Sequence, residues 1–377
     1  MRRRVYMVSA GVVLALSAAA CGTSQEAGAE GADASGGERV YVTNWKSSTI
    51  SSYRLNPDGS LKDSVESTPA GKDSKNPQGS VRSPDGTWLY VADWGSGSVT
   101  GYRIGDDGGL TDPITVTGAS PKPVTPSSIA ISPNGEHLYT ANFSNGAAGT
   151  VSHFTTSQSG APQAVSTVPA HGRGTTGVAV SPDGRTLITT NSESGNVSSF
   201  AIQEDGGLTW VMTVETGRGA FFPAISPKND YVVVTNAKDN TVSLLHLEES
   251  SRLDLVNSVR SQGTEPRGVV LNKSGDVGYV AHFNHATDPG SVGVIHVTRD
   301  GVEAVGKKQD TGSNGTEGIA LAHDGKTLYA ANFNKNGKGS VTTFPVSPDG
   351  TLGDHADPVL TGGRQPDLAS ITVPRIP

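Results

Sequence analysis

The chain is poor in cysteine, in aromatic residues and in charge. Its 377 residues contain one cysteine, Cys21. No disulfide can therefore close within a single chain. Aromatic residues make up 6% and charged residues 17%, with a formal net charge of −7. There is no basic stripe and no aromatic platform flanked by arginine, which excludes nucleic acid as a partner. The acidity reads as a solvated surface. Almost no segment carries the 3.6-residue apolar period of a helix, and no heptads occur, so nothing predicts an oligomer and the chain is expected to be a monomer. A GxSxG elbow is missing, as is a phosphate-cradling glycine loop leading into a helix. No glycine-spaced run of aspartates builds a calcium loop. Nothing in these motifs calls for a cofactor.

Glycine and proline, by contrast, are abundant at 48 and 22 residues. They punctuate a phrase that recurs seven times: YVTN at Tyr41–Asn44, YVAD at Tyr90–Asp93, YTAN at Tyr139–Asn142, ITTN at Ile188–Asn191, VVTN at Val233–Asn236, YVAH at Tyr279–His282 and YAAN at Tyr329–Asn332. The steps between their last residues are 49, 49, 49, 45, 46 and 50. Short strands and glycine turns at such a period predict an all-β fold, a seven-bladed β-propeller with four-stranded antiparallel blades. In the third copy, Pro126–Ser132 reads as the first strand, His137–Asn142 as the second and Thr150–Thr155 as the third, with a polar loop from Phe143 to Gly149. Turns of the type Ser83-Pro-Asp-Gly86 link the first two strands, and turns of the type Asn56-Pro-Asp-Gly59 link the outer two. The first copy begins at its second strand, whereas the chain ends in Gln365–Val373, which resembles an inner strand. The C-terminal strand is therefore expected to complete the first blade beside Val40–Asn44 and close the ring.

The N-terminus predicts a location outside the cytoplasm. Arg2–Arg4 is a charged head, and the apolar run Val5–Ala19 is short for a membrane span, as in an export signal. Leu16-Ser-Ala-Ala-Ala-Cys21 resembles a bacterial lipobox, in which the cysteine is lipidated; cleavage near Ala20 with plain secretion is the other reading. The expected layout is a signal over 1–20, the lipidation site Cys21 with a flexible tether over 21–37, and the propeller over 38–377. The membrane would be touched only through the lipid.

From about Arg39 to Val373 the chain resembles the lactonase family of seven-bladed propellers, which includes bacterial 6-phosphogluconolactonases and fungal carboxymuconate cyclases. The likeness rests on Ile131-Ser-Pro-Asn-Gly-Glu-His-Leu-Tyr-Thr-Ala-Asn142, Leu321-Ala-His-Asp-Gly-Lys-Thr-Leu-Tyr-Ala-Ala-Asn332 and Tyr53-Arg-Leu-Asn-Pro-Asp-Gly-Ser-Leu61. It implies hydrolysis or isomerisation of a small lactone. Enzymes of the family commonly carry a Pro-His pair where an inner strand starts; here Gln78 and Ser127 follow the prolines. The family's Asn-Glu-Leu phrase is also missing.

The topology predicts one functional mouth built from two rings. The first residues of the inner strands supply Gln78, Ser127, Thr176, Phe221, Arg267, Glu317 and Asp367. The loops after the repeated phrase supply Trp45, Trp94, Phe143, Phe283, His285 and Phe333. Lactone opening needs a base for water and a donor for the oxyanion. Arg267 is the candidate electrophile, Glu317 or Asp367 the candidate base, and His282, His285 or the pair His171 and Arg173 candidate acid–base groups. The competing reading makes Arg267 and Glu317 a structural ion pair. Two histidines at His282 and His285 lack a firm third ligand, so no metal site is assigned. The rim aromatics read as packing between blades. The alternative to an enzyme is a lipid-anchored propeller that binds an envelope glycan, peptide or partner protein.

Overall fold

The computed structural model describes residues 38–373 apart from 119, 121–122, 145, 158, 287 and 335–336; the side chains of 286 and 367–370 are not described. The expected export signal, Cys21 and the tether thus lie outside the described residues. Seven four-stranded antiparallel sheets make up the fold. Their inner strands are Pro77–Arg82, Thr125–Ile131, Thr175–Val180, Ala220–Ile225, Pro266–Leu271, Thr316–Leu321 and Pro366–Thr372. Each of these strands touches its two neighbours around a central axis. In the third repeat the strands run Thr125–Ile131, His137–Phe143 and Ala148–Thr156, within two residues of the boundaries read from the sequence.

Closure occurs in the first blade. Pro366–Thr372 pairs with Arg39–Asn44, placing Tyr41 opposite Thr372 and Asn44 opposite Pro366. The first and last described strands therefore build one sheet, and Arg39–Asn44 is not left with an open inner edge.

Local chemistry explains why each repeat folds alike. In the inner turn of the second blade, Ser83 Oγ accepts a hydrogen bond from the Trp88 amide at 2.9 Å, and Asp85 Oδ1 accepts one from the Thr87 amide at 3.0 Å. Gly86 closes the turn at φ 76°, a conformation that favours glycine. The last residue of the repeated phrase pins the second strand to the third: Asn236 Nδ2 donates to Thr241 Oγ1 and Ser243 Oγ at 3.1 and 2.8 Å. The first residue of the phrase reaches the next blade. Tyr90 donates to the Gly160 carbonyl at 2.9 Å, Tyr139 to Gly206 at 2.8 Å and Tyr329 to Gly59 at 2.6 Å. The apolar core lies between blades: Tyr90, Ala92 and Val99 pack against Ile129, Leu138 and Phe154 of the next blade.

Candidate functional site

The inner strands share an irregularity at their first residues. In the sixth blade Pro266 lies opposite His282, but Val269 lies opposite Val280, so an extra residue is accommodated between them. The same one-residue bulge occurs at the start of five other inner strands, and the closing strand carries a larger register shift of three residues. A bulge re-aims side chains that would otherwise alternate across the sheet. It therefore gives each blade one bent segment at the mouth, where the first predicted ring lies.

These ring positions divide into two kinds. Ser127 and Thr176 are buried braces: Ser127 Oγ donates to the Thr176 carbonyl at 2.8 Å, and Thr176 Oγ1 to the Phe221 carbonyl at 3.0 Å. Gln78 is buried as well, and its carbonyl accepts a hydrogen bond from Thr43 Oγ1. On the other side of the ring, Phe221 and Arg267 line an open cavity of about 390 Å³ together with Ser192, Gly219, Ala237, Lys238, Asn240, Glu265 and His285. This cavity lies over the fifth and sixth blades, with Ser192 contributed by the fourth.

Arg267 is held on several sides. Its Nη1 donates to Glu317 Oε1 at 2.5 Å, and its side chain is 21% exposed against 1% for Glu317. The guanidinium lies 3.6 Å from the centroid of Phe283 and 5.1 Å from that of Phe221. An arginine held by a buried carboxylate and two ring faces keeps a fixed orientation. Across the cavity wall, Glu265 Oε2 lies 3.9 Å from Arg267 Nη2, and Glu265 Oε1 lies 3.1 Å from His285 Nδ1. The arrangement provides a cation, a carboxylate and an imidazole around one open space.

Several sequence candidates are placed elsewhere. His282 is fully buried, with Nδ1 3.3 Å from Ser291 Oγ. It takes the strand-pinning place held by Asn236 in the preceding blade, and burial pushes its imidazole down to about 4. It packs against Gly263, where even a Cβ would collide with the ring. His282 and His285 consequently belong to different environments and do not share a ligand. His171 stacks on Trp210 at 4.4 Å, and Arg173 is exposed; neither lines the cavity. Asp367 lies on the closing strand, with its side chain outside the described residues. Among the described residues, no group of three or more His, Cys, Asp or Glu is placed to hold a metal ion.

The rim aromatics bridge neighbouring blades. Trp94 meets Phe143 at 5.3 Å, and Phe283 meets Phe333 edge-on at 5.4 Å. Trp45 is half-buried. Phe221 and Phe283 also flank the arginine; Phe221 lines the cavity, and Phe283 packs behind Arg267 without lining it. Glu265 escaped the sequence reading. It precedes Pro266, and glycine precedes the inner strand at Gly174, Gly219 and Gly315. A charged residue in a place that favours glycine was the available signal.

Ring and mouth together define a seven-bladed propeller with an arginine-lined cavity at one end of its blades. The chain belongs to the lactonase family of seven-bladed β-propellers, whose model matches residues 16–123 and 111–221, more than half of the sequence. Among solved structures it is similar to a periplasmic gluconolactonase of Pseudomonas aeruginosa, with 20% identity, a TM-score of 0.71 and coverage of 89% of this chain and 99% of that one. A candidate 6-phosphogluconolactonase of Bacteroides uniformis matches at 17% identity and a TM-score of 0.72, over 89% and 99% of the two chains. A hydrazine synthase chain of Kuenenia stuttgartiensis matches at 18% identity and a TM-score of 0.61, over 86% and 99%. At such identities the likeness is one of fold. No curated protein matches the sequence.

Proposed function

We propose that the protein is a lactone hydrolase acting at the mouth cavity on a small polyhydroxylated or carboxylated lactone. The observation that carries this reading is Arg267, held by Glu317 and Phe283 on the wall of an open cavity. Ester opening places negative charge on the former carbonyl oxygen, and a pre-oriented guanidinium stabilises that charge without reorganising. Lys238 and Asn240 line the same space and suit the hydroxyl and carboxylate groups of a sugar-derived lactone. Family membership supports the reaction class, and the likeness to a protein described as a periplasmic gluconolactonase supports a sugar lactone as substrate.

The full chain is tested by proton release from sugar, acyl and carboxylated lactones, after subtraction of spontaneous hydrolysis. Turnover should fall at least about 10²-fold in Arg267→Ala, the scale of losing one oxyanion donor. A folded protein inert on every lactone would sink the reading and turn attention to envelope glycans and partner proteins.

The proposal extends to location. The segment Leu16–Cys21 supports export and lipid attachment at Cys21, with the propeller acting as a monomer outside the cytoplasm. Metabolic labelling with a fatty acid should mark the chain, and Cys21→Ser should abolish the label. Unlabelled protein in the medium would support plain secretion instead.

A further inference from the structure

The cavity contains a second feature that Arg267 does not explain. We infer that His285 is the general base of the reaction and that Glu265 is its positioning residue. This rests on the lactonase reading above and deepens it.

The geometry is that of a carboxylate–imidazole dyad. Glu265 Oε1 lies 3.1 Å from His285 Nδ1, and both residues line the cavity beside Arg267. A carboxylate at Nδ1 selects the tautomer that carries its proton there. The lone pair of the neutral ring is then on Nε2. That is the nitrogen a hydrolytic base uses when a carboxylate orients the ring.

The two segments that bear the dyad are tied together. The Phe283 amide donates to the Glu265 carbonyl at 3.1 Å, and the Asn284 amide to the Thr264 carbonyl at 3.2 Å. Asn284 Oδ1 accepts from both the amide and the hydroxyl of Thr264 at 3.0 Å. The Glu265 amide donates to Asn240 Oδ1 at 2.7 Å, linking the dyad to the neighbouring blade. Glu265 and His285 are therefore set by five hydrogen bonds that involve neither side chain.

Stability alone does not account for the pair. Glu265 and His285 adopt φ of 50° and 62°, and Asn284 between the segments adopts 47°. For a non-glycine residue such a conformation costs about 1–2 kcal/mol. The pair itself is partly in water, with side chains 31% and 63% exposed, and surface pairs of this kind return about 0–1 kcal/mol. Positive φ recurs at the residue before the inner strand in Asn76, Gly174, Gly219, Gly315 and Gln365, so the backbone of Glu265 belongs to the repeat, and a pair worth so little is not a stabilising brace.

The step balances as follows. Water bound in the cavity gives a proton to His285 Nε2 while its oxygen bonds to the lactone carbonyl carbon. The tetrahedral oxyanion pairs with Arg267. As it collapses, the ring C–O bond breaks, and the departing alkoxide takes the proton from Nε2. The product is a hydroxy acid that ionises into solvent, and the imidazole returns neutral.

The test is steady-state hydrolysis of glucono-δ-lactone and the rest of the lactone panel by the full chain. His285→Gly suits the position, because glycine adopts the positive φ without strain. Its kcat should fall by about 10²-fold or more, and added imidazole should restore part of it. Glu265→Gln should lower kcat about tenfold or more with KM unchanged, because the amide no longer stabilises the imidazolium. Imidazole should not rescue Arg267→Lys. If Arg267→Lys loses activity while His285→Gly keeps it, or loses it without imidazole rescue, the dyad assignment falls and the lactonase reading stands. If the wild type turns over no lactone, both fall.

Discussion

At the scale of residues, one position in the repeat carries two titrating substitutions with opposite signs. Five blades use asparagine to pin the second strand to the third, at Asn44, Asn142, Asn191, Asn236 and Asn332. The second blade uses Asp93, whose hydrogen bonds come from Ser74, Ser98 and Thr100. Burial pushes this carboxyl up to about 6. The folded value lies above that of the unfolded chain, so the stability tied to the proton is complete below about pH 4 and is lost as pH rises through about 6. Asp93→Asn should therefore raise the melting temperature at about pH 8, by an amount equivalent to roughly 2–3 kcal/mol, and change it little near pH 4. The sixth blade uses His282, whose folded value of about 4 lies below the ordinary 6.5. Its contribution is complete above about pH 6.5 and is lost as pH falls toward 4. His282→Asn should accordingly flatten the acid limb of a melting-temperature profile; an unchanged limb would show that His282 is not the group lost there. The sequence made His282 a candidate because it ends a repeated phrase next to a loop. The structure separates the two histidines: His282 is in register and buried within the sheet, whereas His285, three residues on, lines the cavity.

At the scale of elements, the repeated tyrosine links blade to blade. Burial pushes the Tyr41 and Tyr279 hydroxyls up to about 12, so they remain donors throughout the physiological range. Tyr90→Phe leaves the Gly160 carbonyl buried without its partner and should lower stability by about 1–2 kcal/mol. A denaturant midpoint that moves with an unchanged slope would record this. The fourth blade has Ile188 in place of the tyrosine, and Thr186 Oγ1 meets Ser251 Oγ of the fifth blade at 2.8 Å instead. Blades and turns were legible in the sequence because both depend on local chemistry: alternation along a strand, and Ser, Asp and Gly at fixed turn positions. The two mouth rings were also legible, since topology sends one end of every inner strand there. Which arc of the mouth opens into a cavity was not. Glu265, Arg267, His285 and Lys238 come from separate segments of two blades, and their meeting depends on how those blades pack.

At the scale of the whole molecule, closure depends on the last strand. A chain ending at Arg364 lacks Pro366–Thr372, which exposes the inner edge of Arg39–Asn44 and removes a neighbour from the inner strands on either side. Such a chain should aggregate or lose cooperative unfolding, seen by size-exclusion chromatography and thermal melts. A soluble monomer with the wild-type melting temperature would refute that role. The same blade decides which way the molecule presents itself. The chain enters the propeller at Glu38, among the turn residues Asn56–Gly59 and His323–Lys326. Those turns lie at the end of the blades opposite Arg267 and His285. If the segment before Glu38 is fixed to a bilayer, the attachment joins the propeller at its turn face, and the cavity at the other end of the blades is left clear of the junction. Catalysis should then be indifferent to attachment: kcat/KM for a soluble lactone should be the same for protein on vesicles and protein released by cleavage of the tether.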